Sequence, residues 1–505
     1  MNRNEIRKII FDNEITLWWE HVSLPEKGAF LVQLNGKMHG KTTKTHYQFV
    51  GLSPKTEYEV CVSIVDSDDK VCEVLGRQLI KTTATKKRLD VTKAPYCAVG
   101  DGKTLNTLAL QKALDDCSEN EAVYLPAGLF LTGALNVHSN TEIYLEKDAI
   151  LQGTSNAEDY LPKRKSRFEG LERECYSSLL NIGTLDHKAD CTTENVILRG
   201  EGIISGGGAD LAFGIIHTET ARLKDALEDA NDSAQNYECE WTVSGRARGR
   251  LVNISNCQNV VISGVTLQNG PAWNIHMVYS KDITTCHCKI LSKGVWNGDG
   301  WDPDSSENCV IFNTDFDTHD DAIAIKSGKN PEGNIINRPT KNVFVFDCRG
   351  RNGIAVGSEM SGGVENIKIW DCDMGDSYGG FTVRIPKERG GYIRNVQIFD
   401  CRLATLHVLT KINFNNDGQC AATVSVLEDF SAENVEIVGV SLEKGMRNVV
   451  SPIVLCGVSE TSPIRNVELK NVLLYKLENG ELPDLKIENV ENVIIEDIHY
   501  AAFNN

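Results

Sequence analysis

Carboxylates are concentrated in one stretch of the chain. From Asn297 to Gly328 it reads NGDGWDPDSSENCVIFNTDFDTHDDAIAIKSG and holds Asp299, Asp302, Asp304, Asp315, Asp317 and the pair Asp320–Asp321. Side chains of one charge repel at this density, so packing them together needs a compensating role. A solvated acidic loop and a metal-binding loop are two readings. Cleavage of a glycosidic bond is a third. Inversion at a sugar carbon needs one carboxylic acid to protonate the leaving oxygen. It also needs carboxylates on the opposite face to activate a water, about 6.5–9.5 Å away. Crowding suits the acid, because mutual repulsion keeps at least one carboxyl protonated near neutral pH. Asp320 and Asp321 follow Asp299 by 21 and 22 residues, which selects these three as the catalytic set. The other aspartates read as turn and strand-end residues.

Such a set needs a scaffold that returns to the same place about every 22 residues. A repeat supplies it. Asn195-Val196-Ile197 recurs as Asn259-Val260-Val261, Asn308-Cys309-Val310, Asn342-Val343-Phe344, Asn366-Ile367-Lys368, Asn395-Val396-Gln397, Asn434-Val435-Glu436, Asn466-Val467-Glu468 and Asn492-Val493-Ile494, with Asp282-Ile283 in the same slot. The first interval is 64 residues and the others lie between 23 and 39. Each copy continues apolar–polar–apolar, so every second side chain points inward and stacks on its equivalent in the next coil. The asparagine sits at the turn, where it can bond the backbone of its own or a neighbouring rung. Cys348, Cys372 and Cys401 fall at like positions and read as small interior hydrophobes. The fold class is all-β, a right-handed parallel β-helix; no leucine ladder supports a leucine-rich repeat. Rungs about 4.8 Å apart bring Asp299 and Asp320–Asp321 into one site. Ile323 and Ile325 give Asp321 inward parity and turn Asp320 out, so an irregular turn is expected at His319–Asp321.

Leu110, Ala113, Leu114 and Cys117 form the one convincing helical stripe, with Asn106 or Thr107 as N-cap, and read as a cover over the first rung. Charged residues 211–240 break the period and read as an insertion in a cleft wall. Residues 1–85 differ in kind. Short alternating runs, Ile15–Glu20, Phe30–Leu34 and Tyr58–Val65, are separated by turn signals, as in an antiparallel sandwich. Leu52–Tyr58 reads as a tyrosine corner. This segment resembles a fibronectin type III domain. Trp18 and Trp19 fit either a sugar-stacking platform or core and edge packing. TTATKKR, residues 82–88, reads as a linker, which leaves 86–505 to the catalytic β-helix.

The 505 residues carry a net charge of −18, which argues against nucleic acid and against an anionic membrane as partner. No apolar run reaches transmembrane length, and MNRNEIRKIIFDNEITLWWE lacks the core of a signal peptide. A cytoplasmic location is the expectation, or a secreted one if a leader was removed. Sixteen cysteines without an export signal read as reduced thiols. There is no CxxC pair, so a structural zinc site is not expected.

From about Asp90 onward the chain resembles the polygalacturonases, glycoside hydrolase family 28. Asn297-Gly298-Asp299 matches the family's Asn-x-Asp, and Asp320-Asp321 matches its Asp-Asp, followed by a bacterial-type IAIKSG. Gly357–Gly363, GSEMSGG, resembles bacterial exo-acting members, and Pro271–His276 a further family segment. The resemblance implies Asp320 as general acid, Asp299 and Asp321 as the residues that hold and deprotonate water, and no metal or other cofactor. Substrate-binding roles fall to Asn297, Lys326, Arg351, Arg384 and Lys387. Two motifs depart from the family. Gly-His-Gly is replaced by Gly350-Arg351-Asn352-Gly353, and Arg-Ile-Lys by Arg384-Ile385-Pro386-Lys387. A later tyrosine has no counterpart, with Phe414 in that region. The expected substrate is a pectic polysaccharide or oligosaccharide, cleaved by an inverting, exo-acting hydrolase. A rhamnogalacturonan or other uronic-acid linkage is the alternative, then a calcium-dependent pectate lyase, then a non-catalytic glycan-binding protein. Arg246, Arg248 and Arg250 read as surface charges or carboxylate binders. Trp296 and Trp301 fit subsite walls or packing, and His276 and His319 fit site-shaping or structural roles.

Overall fold

Alternation of apolar and polar residues decides both architectures in the chain. A computed structural model describes residues 5–229, 244–410, 420–443 and 446–502. The chain divides into two units, Met1–Arg88 and Leu89–Asn505.

The first unit carries two antiparallel sheets. One orders Arg7–Ile10, Glu14–Trp18 and His46–Val50; the other orders Lys37–Thr42, Ala29–Leu34, Glu57–Val65 and Val71–Lys81. Ile15, Leu17 and Phe49 of the first pack with Phe30, Val32, Val60 and Val62 of the second in one buried cluster. Tyr58 Oη accepts the Ser53 N–H at 2.9 Å, the geometry of the expected corner. Trp19 packs edge-on to Phe30 at 5.0 Å, and Trp18 lies 4.5 Å from the Arg7 guanidinium. Both tryptophans are buried, so the sugar-platform reading is corrected to packing.

The second unit is a parallel β-helix. An 11-stranded parallel sheet runs along it: Leu135–Val137, Leu180–Gly183, Val252–Ser255, Ile275–Val278, Trp301–Asp304, Ile323–Ile325, Ile354–Val356, Phe381–Arg384, Leu406–Leu409, Ile453–Cys456 and Lys486–Glu488. Inward side chains stack from rung to rung. Trp301 is opposite Ile323, Ile323 opposite Ile354, and Ile354 opposite Phe381, all buried. On the neighbouring long sheet Phe312, Phe346 and Trp370 stack face to face at 4.8 and 4.4 Å. Cys348, Cys372 and Cys401 line the interior as expected.

The turn asparagines behave differently from the expectation. Among the described residues they bond one another. Asn342 Nδ2 donates to Asn308 Oδ1 at 3.0 Å, Asn366 to Asn342 at 3.2 Å, and Asn395 to Asn366 at 2.8 Å. Asn308 donates to Asp282, which closes the slot read for that aspartate. All sit in the left-handed region, with φ between 52° and 60°, which asparagine and aspartate tolerate better than other L-residues. Asn434 is out of this ladder. Its bonds go to Asp400 and Asn471, while Asp429 accepts from Asn466 in the slot assigned to Asn434.

Thr107–Asp116 is helical, with Leu110, Ala113 and Leu114 buried. Asn106 stands at the cap position, yet its side chain bonds Val99, Thr104 and Leu131 and leaves the helix uncapped. It is not the main helix. Gly208–Asp229 is helical over 22 residues and occupies much of the segment read as an insertion. Leu211, Ala212, Ile215, Ile216 and Glu219 form its buried stripe.

Candidate active site

Register brings the proposed catalytic set together. Trp301 pairs with Ile323, an offset of 22 residues, and Gly300 N–H donates to the Asp321 carbonyl at 3.0 Å. Asp299 and Asp321 therefore occupy equivalent places on adjacent rungs. The strand Glu307–Asp317 ends before Asp320, and the chain bends at His319 and Asp320 before Ile323–Ile325 begins. Hydrogen bonds hold the bend. Asn352 Nδ2 donates to the Thr318 carbonyl at 2.6 Å, Thr318 Oγ1 to the Asp320 carbonyl at 2.7 Å, and Asp321 N–H to Asp320 Oδ1 at 2.9 Å. The break in alternation lets consecutive aspartates face one place.

Asp320 and Asp321 lie close enough to act on Asp299. Burial pushes Asp299 well above the usual carboxylate range, opposed by Lys326 and reinforced by Asp302, Asp320 and Asp321. Asp320 is raised by burial first and by Asp321 second. Asp321 is held by Arg384 in a two-pronged pair, Nη1–Oδ2 2.6 Å and Nη2–Oδ1 2.8 Å. Burial disfavours the Arg384 charge, and Asp321 outweighs it, so the guanidinium is raised. Lys326 Nζ lies 3.1 Å from Asp299 Oδ2, 3.4 Å from Asp302 Oδ1 and 4.0 Å from Glu359.

The proposed substrate residues separate into two groups. Asn297, Lys326 and Arg384 belong to the cluster. Asn297 Oδ1 accepts from Arg248 Nη2 at 2.6 Å, Lys326 is buried among carboxylates, and Arg384 faces Asp321. Arg351 and Lys387 are exposed, and Lys387 lies 3.8 Å from Glu388. His319 is exposed as well, and Phe414 lies outside the described residues.

Alternation on Trp301–Asp304 carries what the sequence reading missed. Trp301 turns inward, donating its indole N–H to Thr285 Oγ1 at 3.1 Å, so it is core and not a subsite wall. Asp302 and Asp304 therefore point the other way, into a covered polar layer, and are not turn residues. The hairpin of Arg164–Phe168 and Leu171–Cys175 forms the cover. Arg167 donates to Asp304 Oδ1 at 3.0 Å, and His276 lies 3.4 Å from Asp304 Oδ2. Burial holds His276 neutral, down to about 3. Arg246, Arg248 and Arg250 are buried, not surface charges: Arg246 pairs with Glu169, and Arg250 lies 4.1 Å from the Phe168 ring and 4.3 Å from Trp273. Arg248 donates to the Trp296 carbonyl at 2.6 Å and stacks 4.7 Å from its ring, so Trp296 is half-buried beside Asn297. The arginines of GRARGR lie in a turn and loop that lead into Val252–Ser255, so no strand alternation marked them in the sequence.

Known proteins carry the same scaffold. The sequence profile of glycosyl hydrolases family 28 matches residues 191–496. Exo-poly-alpha-D-galacturonosidase of Dickeya chrysanthemi is 29% identical over 361 residues, 68% of this chain and 59% of that protein. A probable polygalacturonase of Vitis vinifera is 30% identical over 304 residues, 57% of this chain and 55% of that protein. The chain thus spans less than two thirds of either curated relative. The family 28 exopolygalacturonase structure of Yersinia enterocolitica superposes with a TM-score of 0.79 at 21% identity, covering 99% of this chain and 97% of that one. That likeness shows the fold. The profile match spans more than half the chain and includes the rungs of Asp299, Asp320 and Asp321, so the chain belongs to glycosyl hydrolases family 28.

Proposed function

We propose that this protein hydrolyses galacturonosyl linkages in pectic polysaccharides or oligosaccharides, by inversion and from the chain end. One observation carries the reading. Asp320 is bent out of its strand beside two carboxylates on adjacent rungs, and its surroundings favour the protonated form. Asp320 donates its proton to the leaving oxygen. Asp299 and Asp321 hold the attacking water, and one takes its proton. Lys326 and Arg384 supply the positive charge that an acidic sugar requires. Exo action is favoured by the names of the Dickeya relative and the Yersinia structure and by the helix Gly208–Asp229 inserted between rungs. A rhamnogalacturonan or other uronic-acid linkage is the second reading, favoured by Arg384 being engaged with Asp321 and Lys387 being turned to solvent. The test pairs mass spectrometry of products from a panel of pectic oligosaccharides with Asp320→Asn. Turnover in the variant is expected to fall by about 100-fold or more. A variant that keeps most of its activity removes Asp320 from the acid role.

A further inference from the structure

Trp18, Trp19, Trp273, Trp301 and Trp370 are buried. Among the described residues Trp296 alone of the tryptophans keeps part of its surface open. It stands three residues before Asp299 and next to Asn297, which is half-buried too. It contributes no group to the reaction as derived above. A large aromatic ring left partly in water beside the proposed catalytic set is a ready contact surface for a ligand.

The ring is held from behind. Arg248 is fully buried, and its guanidinium lies over the indole, 4.7 Å from the centroid. Hydrogen bonds fix that guanidinium. Nε donates to the Gly245 carbonyl at 2.8 Å, Nη1 to the carbonyls of Trp296 at 2.6 Å and Pro271 at 3.1 Å, and Nη2 to Asn297 Oδ1 at 2.6 Å. Gly245 packs against the six-membered ring, where a Cβ would come within 2.7 Å of Trp296 Cζ3. One face and one edge of the indole are taken in this way, which leaves the opposite face for the open surface.

The same arginine bears on what the open face would take. Its acceptors are all neutral. Glu169 and Asp299 favour its charge through space, but among the described residues no carboxylate is bonded to it. A buried cation on neutral acceptors is under-compensated. A cation behind an aromatic ring also draws electron density from it, so the far face suits an anionic group better than a bare indole does. A galacturonosyl ring fits both demands: one of its faces presents C–H bonds, and it carries a carboxylate.

We propose that Trp296 is the stacking floor of a sugar subsite beside Asp299, held in place from behind by Arg248. The identity of the sugar rests on the hydrolase reading above. Trp296 touches no reacting atom, so its contribution falls on binding and not on the chemical step.

Kinetics on trigalacturonate give the first test. Trp296→Leu is expected to raise KM about tenfold with kcat within about threefold of wild type, and Trp296→Phe, which keeps a ring, to stay within about threefold in both. A ring that merely packs would show the reverse, a lower kcat and thermal midpoint with KM unmoved. The second test needs no turnover. Trigalacturonate is titrated into Asp320→Asn protein and into the same protein carrying Trp296→Phe. Tryptophan emission is expected to shift to shorter wavelength and saturate in the first, and to stay unchanged in the second. No shift in the first, equal shifts in both, or a KM that does not move in Trp296→Leu overturns the subsite and leaves hydrolysis standing. A saturating shift that is lost with Trp296, in a protein whose wild type cleaves no pectic oligosaccharide, overturns hydrolysis and leaves the subsite standing. Neither cleavage nor a shift overturns both.

Discussion

Asp320 and Asp321 are consecutive in sequence and opposite in circumstance. Arg384 grips Asp321 with two hydrogen bonds, whereas Asp320 accepts one backbone N–H and takes its shift from burial and from Asp321. The separation of roles depends on the bend, and Asn352 anchors the bend through the Thr318 carbonyl. We expect Asn352→Ala to lower kcat about tenfold with KM nearly unchanged, because a slight misplacement of the proposed acid acts on the transition state. Equal loss in KM would place Asn352 on the substrate instead. Asp299, Asp320 and Asp321 were legible because their spacing matched the repeat. Asp302 and Asp304 were not, because proline at 303 and a glycine-rich approach hid the alternation that buries them. Arg167 was illegible for another reason: its partner Asp304 is far away in sequence, and no local pattern reports such a pair.

At the scale of elements, the coil is set by the inward stacks and its turns by the asparagine ladder. Asn342 has φ 57°, donates to Asn308 and accepts from Asn366. Alanine there loses both bonds and adds left-handed strain. Destabilisation of about 2–3 kcal/mol is expected, from about 1 kcal/mol for each bond and about 1 for the backbone. Asn342→Gly should recover about 1 kcal/mol of this, since glycine takes the left-handed region freely. Denaturant unfolding measures both, and equal losses would deny the backbone contribution. The repeat made the β-helix readable, but not its register at Asn434. Two turns of the coil carry Asn-Val pairs, and local sequence does not distinguish them. The helix Gly208–Asp229 escaped because its apolar stripe is short and runs into a charged segment that looks like a loop.

For the whole molecule, the buried carboxyls make stability depend on pH. Asp299, Asp302 and Asp320 are all raised in the fold. Such a group binds its proton in the folded state where the unfolded chain has released it. Its contribution is complete below the unfolded value, about 3.9, and is lost as pH rises through the folded one, about 7 for Asp302. Asp304 acts in the other direction, because Arg167 and His276 lower it against burial. The thermal midpoint should therefore decline between about pH 4 and pH 7, and decline less in Asp302→Asn. An identical slope in the two proteins would contradict the assignment. The proposed role of these carboxylates is inversion across two adjacent rungs. Proton NMR of the sugar ends first formed from an oligogalacturonate tests it most directly. The new reducing end is expected to appear first with the anomeric configuration opposite to the bond cleaved, and then to mutarotate. Retained configuration, or an unsaturated product that absorbs in the ultraviolet and disappears with a chelator, would contradict it.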